Sequence, residues 1–150
     1  MELPLVPPLV MPTNQPSCED RVQAHLEDRL EDLRKLWQAD QAGDEGDPDL
    51  GSLNDYGLSF DYVPAKTFTD QTEGYFRYQI SWGGPADEFR FFGDLDGYIH
   101  RIEYWFLDWF DGAHRVLRGK DRDLLSNIWD YLTCCNDPEF IRRMIQEAKA

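Results

Sequence analysis

The chain has 150 residues, enough for one domain that buries its own core without metals or disulfides. Hydrophobic residues make up 41% and aromatics 14%, which separates the chain from disordered acidic proteins. A formal net charge of −14, from 29 acids against 15 bases, argues against direct nucleic-acid binding, which needs clustered Lys and Arg, and favours a basic protein as partner.

Residues 1–16 hold Pro4, Pro7, Pro8, Pro12 and Pro16, which block helix and remove backbone donors, so a flexible tail is expected. The apolar start lacks the basic residues of an export signal, and no run approaches the roughly 20 apolar residues of a membrane span. Ser17 is a good N-cap with Asp20 three residues on. Val22, Leu26, Leu30, Leu33 and Trp37 then recur at helical spacing, which predicts a helix over about 18–39.

The composition changes at Gln38. Residues 40–55 are rich in Gly, Pro and Asp and have no apolar period, which predicts a loop. No basic residue lies between Lys35 and Lys66, while Asp40, Asp44, Glu45, Asp47, Asp49, Asp55 and Asp61 supply seven negative charges. A solubilising loop would have this composition, and so would an acidic patch offered to a basic groove.

Alternation of apolar and polar residues over 58–63, 74–82 and 88–92 predicts three strands, with Gly83-Gly84-Pro85 and Asp96-Gly97 as turns. A fourth is expected from Tyr98 to Phe110, ended by Asp111-Gly112, with aromatic and β-branched residues on both faces. Helices over about 121–134 and from Pro138 onward complete the chain. The expected fold is therefore a single α+β domain over 17–150. It has a four-stranded, mainly antiparallel sheet, one N-terminal helix and two C-terminal helices. A sheet face left uncovered by helix would favour a homodimer.

The chemistry-bearing residues form no recognised catalytic motif. His25, His100 and His114 have no partner at ligand spacing, and Asp94-Leu95-Asp96-Gly97 lacks the twelfth-position Glu of a calcium loop, so no metal is expected. No cofactor loop is present either, because Gly83-Gly84 is followed by Pro85 and not by a lysine and a helix start. Cys134 and Cys135 fall side by side in the predicted helix, which suggests neither a bridge nor a zinc site and fits a reducing cytoplasm. An acid–base hydrolase would have to use Glu103, Asp108 or Asp111 near the end of the long strand, although nearby acids are common in so acidic a chain. The aromatics exceed what one sheet face must bury, and Trp105, Trp109 and Phe110 are the candidate contact patch for a protein partner.

The segments YGLSFDYV, EGYFRYQISWGGPADEFRFF and IEYWFLDWFDGA, spanning roughly 56–113, resemble a family of small acidic proteins carried on bacterial plasmids, phages and integrative elements. The resemblance brings no catalytic residue with it. It implies a genetic context in which small acidic proteins block restriction or CRISPR systems, sometimes by imitating DNA phosphates. On this basis the expected function is non-enzymatic inhibition of a nucleic-acid-handling defence complex. The alternatives are an immunity-type or plasmid-maintenance interaction module and the small hydrolase.

Overall fold

A computed structural model describes residues 16–149. The expected flexible tail over 1–16 lies, apart from Pro16, outside the described residues. In chain order the elements are α1 (Cys18–Gln41), α2 (Leu53–Tyr56), β1 (Ser59–Val63), β2 (Tyr75–Ser81) and β3 (Ala86–Gly93). They continue with β4 (Ile99–Asp108), β5 (Asp111–Val116), α3 (Gly119–Leu132) and α4 (Pro138–Lys149).

The α+β class stands, with every strand antiparallel to its neighbour in the order β1-β2-β3-β4-β5. The numbers of elements differ from expectation: among the described residues five strands replace four, and four helices replace three. The expected long strand is β4, which stops at Asp108 and turns directly into a hairpin with β5. Trp109 and Phe110 take positive φ angles of 51° and 61°, so the chain reverses within two residues and Asp108 pairs with Asp111. Bulky aromatics rarely adopt this left-handed backbone, so nothing in their identity signalled a turn. Gly112, taken as a strand stop, lies inside β5. The extra helix is a single turn within the acidic segment, capped by the Ser52 hydroxyl accepting from Asp55 N–H at 3.2 Å, and too short to show a period.

The N-terminus of α1 is closed as the sequence suggests. Ser17 Oγ accepts from Asp20 N–H at 3.2 Å and Asp20 Oδ2 from Ser17 N–H at 3.3 Å. Behind this cap the buried stripe is Cys18, Val22, Leu26, Leu30, Leu33 and Leu36, with Trp37 at its margin. At roughly 1.5–3 kcal/mol per buried aliphatic side chain, this stripe is enough to hold the helix on the sheet. It faces Phe76, Tyr78, Phe89, Phe91, Ile102, Tyr104 and Phe106 from the central strands. Trp129 of α3 closes the core, with its ring 5.0–5.7 Å from those of Phe60, Phe76 and Phe91. Helix α3 ends at Leu132, so Cys134 and Cys135 lie beyond it, exposed in a left-handed turn with φ values of 54° and 63°. No helix of the described residues is long and apolar enough to cross a membrane.

Because the helical residues of the core all pack on one side, the sheet's other face is left to itself. That face supplies the site.

Candidate functional site

Strand register arranges the open face in three rows. Val63, Tyr75, Phe92 and Arg101 form the first; Asp61, Arg77, Arg90 and Glu103 the second; Gln79, Glu88, Trp105 and His114 the third. Cross-strand neighbours on one face stand within side-chain reach, so charges and rings interleave. Arg77 meets Asp61 through two nitrogens, at 2.7 and 3.0 Å. Arg90 Nε donates to Glu88 at 2.8 Å, and its guanidinium lies 4.6 Å from the Tyr75 ring centre and 4.0 Å from that of Trp105. Arg101 covers Phe92 at 4.0 Å and donates to Glu103 at 3.0 Å and Glu73 at 3.2 Å. His114 stacks on Trp105 with centroids 4.5 Å apart, while Trp105 Nε1–H donates to Glu103 at 2.9 Å.

The β1–β2 connection turns this face into a cleft. Gln71 pins the loop, its amide donating to the Pro64 and Glu73 carbonyls at 3.0 and 2.8 Å while its carbonyl accepts from Phe68 N–H at 3.0 Å. Residues 68–73 thereby form a wall beside Tyr75, Phe92, Arg101 and Trp105, and the open cleft has a volume of about 490 Å³. That size suits a small ligand or a short peptide segment. Tyr75 lines this cleft at 1% exposure, and its hydroxyl has no hydrogen-bond partner among the described residues. Burial pushes the Tyr75 phenol up, against the pull of Arg90. A buried hydroxyl without a partner is costly, and most such groups are satisfied.

The expected acidic patch is only partly one surface. Asp40 sits in the last turn of α1, and Asp44, Glu45 and Asp49 are exposed beyond it. Asp47 instead holds the local backbone, because its side chain accepts from Asp49 N–H at 2.9 Å and Leu50 N–H at 3.3 Å, within a turn closed by the Asp47–Gly51 backbone pair. Asp55 accepts from the Ser52 hydroxyl at 2.9 Å. Asp61 is elsewhere, on the open sheet face under Arg77.

The expected aromatic patch is also divided. Trp105 belongs to the open face, whereas Trp109 and Phe110 project from the β4–β5 turn, 54% and 107% exposed. Trp82, at the β2–β3 turn, joins these two at the same end of the sheet and is exposed as well. Trp82 falls one residue past the end of β2, next to the Gly83-Gly84-Pro85 turn. The chain enters β1 at that end of the sheet, where Leu58 N–H donates to Gln79 O at 2.8 Å.

No family model, curated protein or solved structure matches the chain.

The hydrolase candidates are not gathered around a common space. Glu103 is buried on the open face between Arg101 and Trp105. Asp108 and Asp111 are cross-strand neighbours at the hairpin end, and each is tied to α1. Asp108 closes on Arg21 at 2.6 Å, while Asp111 accepts from Cys18 N–H at 2.9 Å, which holds its carboxyl below the usual range. Among the described residues, no group of three or more His, Cys, Asp or Glu side chains is placed to hold a metal ion. The basic residues after β5 line a second groove, with Arg118 and Arg122 beside His100 and Arg101 at the start of α3.

Proposed function

We propose that this protein is a non-enzymatic, acidic binding protein that engages a basic partner, as an inhibitor of a nucleic-acid-handling complex would. One observation carries the reading. Arg21, Arg29, Arg77, Arg90, Arg101 and Arg115 are each closed on a carboxylate of the fold, whereas Asp40, Asp44, Glu45 and Asp49 form no ion pair among the described residues. Six of the fifteen basic residues are thus held against acids of the fold, while these four carboxylates are left exposed and, among the described residues, unpaired between Lys35 and Lys66, a stretch with no basic residue. Such a surface attracts a cationic groove over a distance of about 8–10 Å at moderate salt and steers its approach.

Trp82, Trp109 and Phe110, exposed at the β2–β3 and β4–β5 turns, then supply short-range contact. The resemblance to small proteins of mobile elements supports a cytoplasmic, anti-defence role, of the anti-CRISPR or antirestriction kind, in which carboxylates stand in for DNA phosphates. An immunity-type inhibitor of a basic toxin uses the same physics and differs only in the partner.

The test is capture of partners from a bacterial lysate, with the wild type beside a variant carrying Asp40→Asn, Asp44→Asn, Glu45→Gln and Asp49→Asn. Asp47 and Asp55 are spared because they hold the local fold. A nucleic-acid-processing complex that binds the wild type, weakens as salt rises and is lost with the variant is the expected result. The same complex retained by the variant would sink charge imitation.

A further inference from the structure

The cleft on the open sheet face carries more than the general acidity. We propose that it receives an arginine-bearing peptide segment of the partner, with the guanidinium on Asp70 and Glu73 and a main-chain carbonyl on the Tyr75 hydroxyl and Arg90. This inference rests on the reading that the partner is basic.

Two features of the cleft select this occupant. First, its own arginines are already matched, Arg90 by Glu88 and Arg101 by Glu103, so an entering anion meets no uncompensated positive charge. The rim instead presents Asp70, which is exposed, and Glu73, whose side chain is half exposed and whose two oxygens share the single Arg101 Nη2 at 3.2–3.3 Å. Second, the inner end is short of acceptors. The Tyr75 hydroxyl is buried without a partner, and only the Nε of Arg90 is engaged among the described residues. A peptide carbonyl would relieve both donors. Between these ends, Phe68 at the mouth and Trp105 within offer apolar surface to the methylenes of an arginine stem.

The probe is the blocked tripeptide acetyl-Gly-Arg-Gly-amide, titrated into the full chain and followed through the Trp105 indole and Tyr75 resonances. Acetyl-Gly-Glu-Gly-amide and acetate serve as competitors for the opposite charge. The arginine peptide is expected to give a saturable shift that neither acidic probe reproduces. Tyr75→Phe removes one oxygen that bonds to nothing in the free protein, so its melting temperature should hold or rise while its affinity for the arginine peptide falls about tenfold. Asp70→Asn with Glu73→Gln should weaken binding at least as much. Equal or stronger shifts with the acidic probes, an unchanged affinity in Tyr75→Phe, or no saturable shift with the arginine peptide would each overturn the proposal. Failure here is separable from failure of the acidic-surface reading, because the lysate experiment varies Asp40, Asp44, Glu45 and Asp49, none of which lines the cleft.

Discussion

Arg29 of α1 grips Asp87 of β3 through two nitrogens, Nε at 2.7 Å and Nη2 at 3.2 Å, in the packed layer between helix and sheet. Asp87 also accepts from the Tyr104 hydroxyl at 2.6 Å and from Ser81, and its side chain is 3% exposed. Arg29 in turn donates to Tyr56, whose hydroxyl donates to Asp32. Removing a buried charge leaves its partners uncompensated, a loss larger than the net worth of the pair. Asp87→Ala should therefore cost about 3–5 kcal/mol in urea unfolding, while an apolar replacement of both Arg29 and Asp87 should cost less. A loss under about 1 kcal/mol for Asp87→Ala would show that the network does not tie α1 to the sheet.

The Trp109-Phe110 turn is a poor choice for stability. Both residues occupy left-handed backbone, at about 1–2 kcal/mol each for a residue with a Cβ, and Phe110 buries nothing. Replacing the pair by Asn-Gly, the usual occupants of such a turn, should stabilise the fold by about 1 kcal/mol. The same variant should weaken partner capture if these rings make contact. A variant that is more stable and binds as well would remove the turn from the binding surface.

How legible the sequence was depended on how local each signal is. The Ser17 cap, the stripe from Val22 to Leu33 and the Asp96-Gly97 turn depend on nearby residues, and each appears as the spacing predicts. The fifth strand was missed because the turn before it is set by pairing between Leu107 and Gly112, against the preferences of Trp109 and Phe110. The candidate site fared worse. Asp61 and Asp49 are close in sequence and similar in charge, yet one is locked under Arg77 and the other is exposed. The cleft was invisible for the same reason. It exists only where the loop held by Gln71 stands beside Tyr75, Phe92 and Trp105, residues contributed by three different strands.

Alkaline pH gives an independent handle on the core. Burial, with the Asp32 hydrogen bond and against that of Arg29, pushes the Tyr56 phenol up to about 12, and burial drives Tyr78 and Tyr104 higher still. The folded state therefore favours the neutral phenol. This contribution is fully present below the ordinary phenol pKa of about 10 and is lost as pH rises through the folded value. Stability measured by urea unfolding should be level up to about pH 9 and fall steeply towards pH 12. Tyr56→Phe should flatten part of that fall, and an identical profile in the variant would mean that Tyr56 is not a source of it.

Arg90 tests whether the open face is held by stacking or by charge alone. Its flat guanidinium lies against both Tyr75 and Trp105 while Nε holds Glu88, whose side chain is 5% exposed. Arg90→Lys keeps the charge and can still reach Glu88, but a compact ammonium cannot lie flat against two rings. Each cation–π contact is worth about 0.5–1 kcal/mol at an exposed site and more when desolvated, so Arg90→Lys should cost about 1–2 kcal/mol. Trp105 fluorescence should change with it, because the indole loses one of the two groups packed on it. Full stability in Arg90→Lys would assign the contact to the Glu88 pair alone, whereas a loss matching that of Arg90→Ala would assign it to the planar stack.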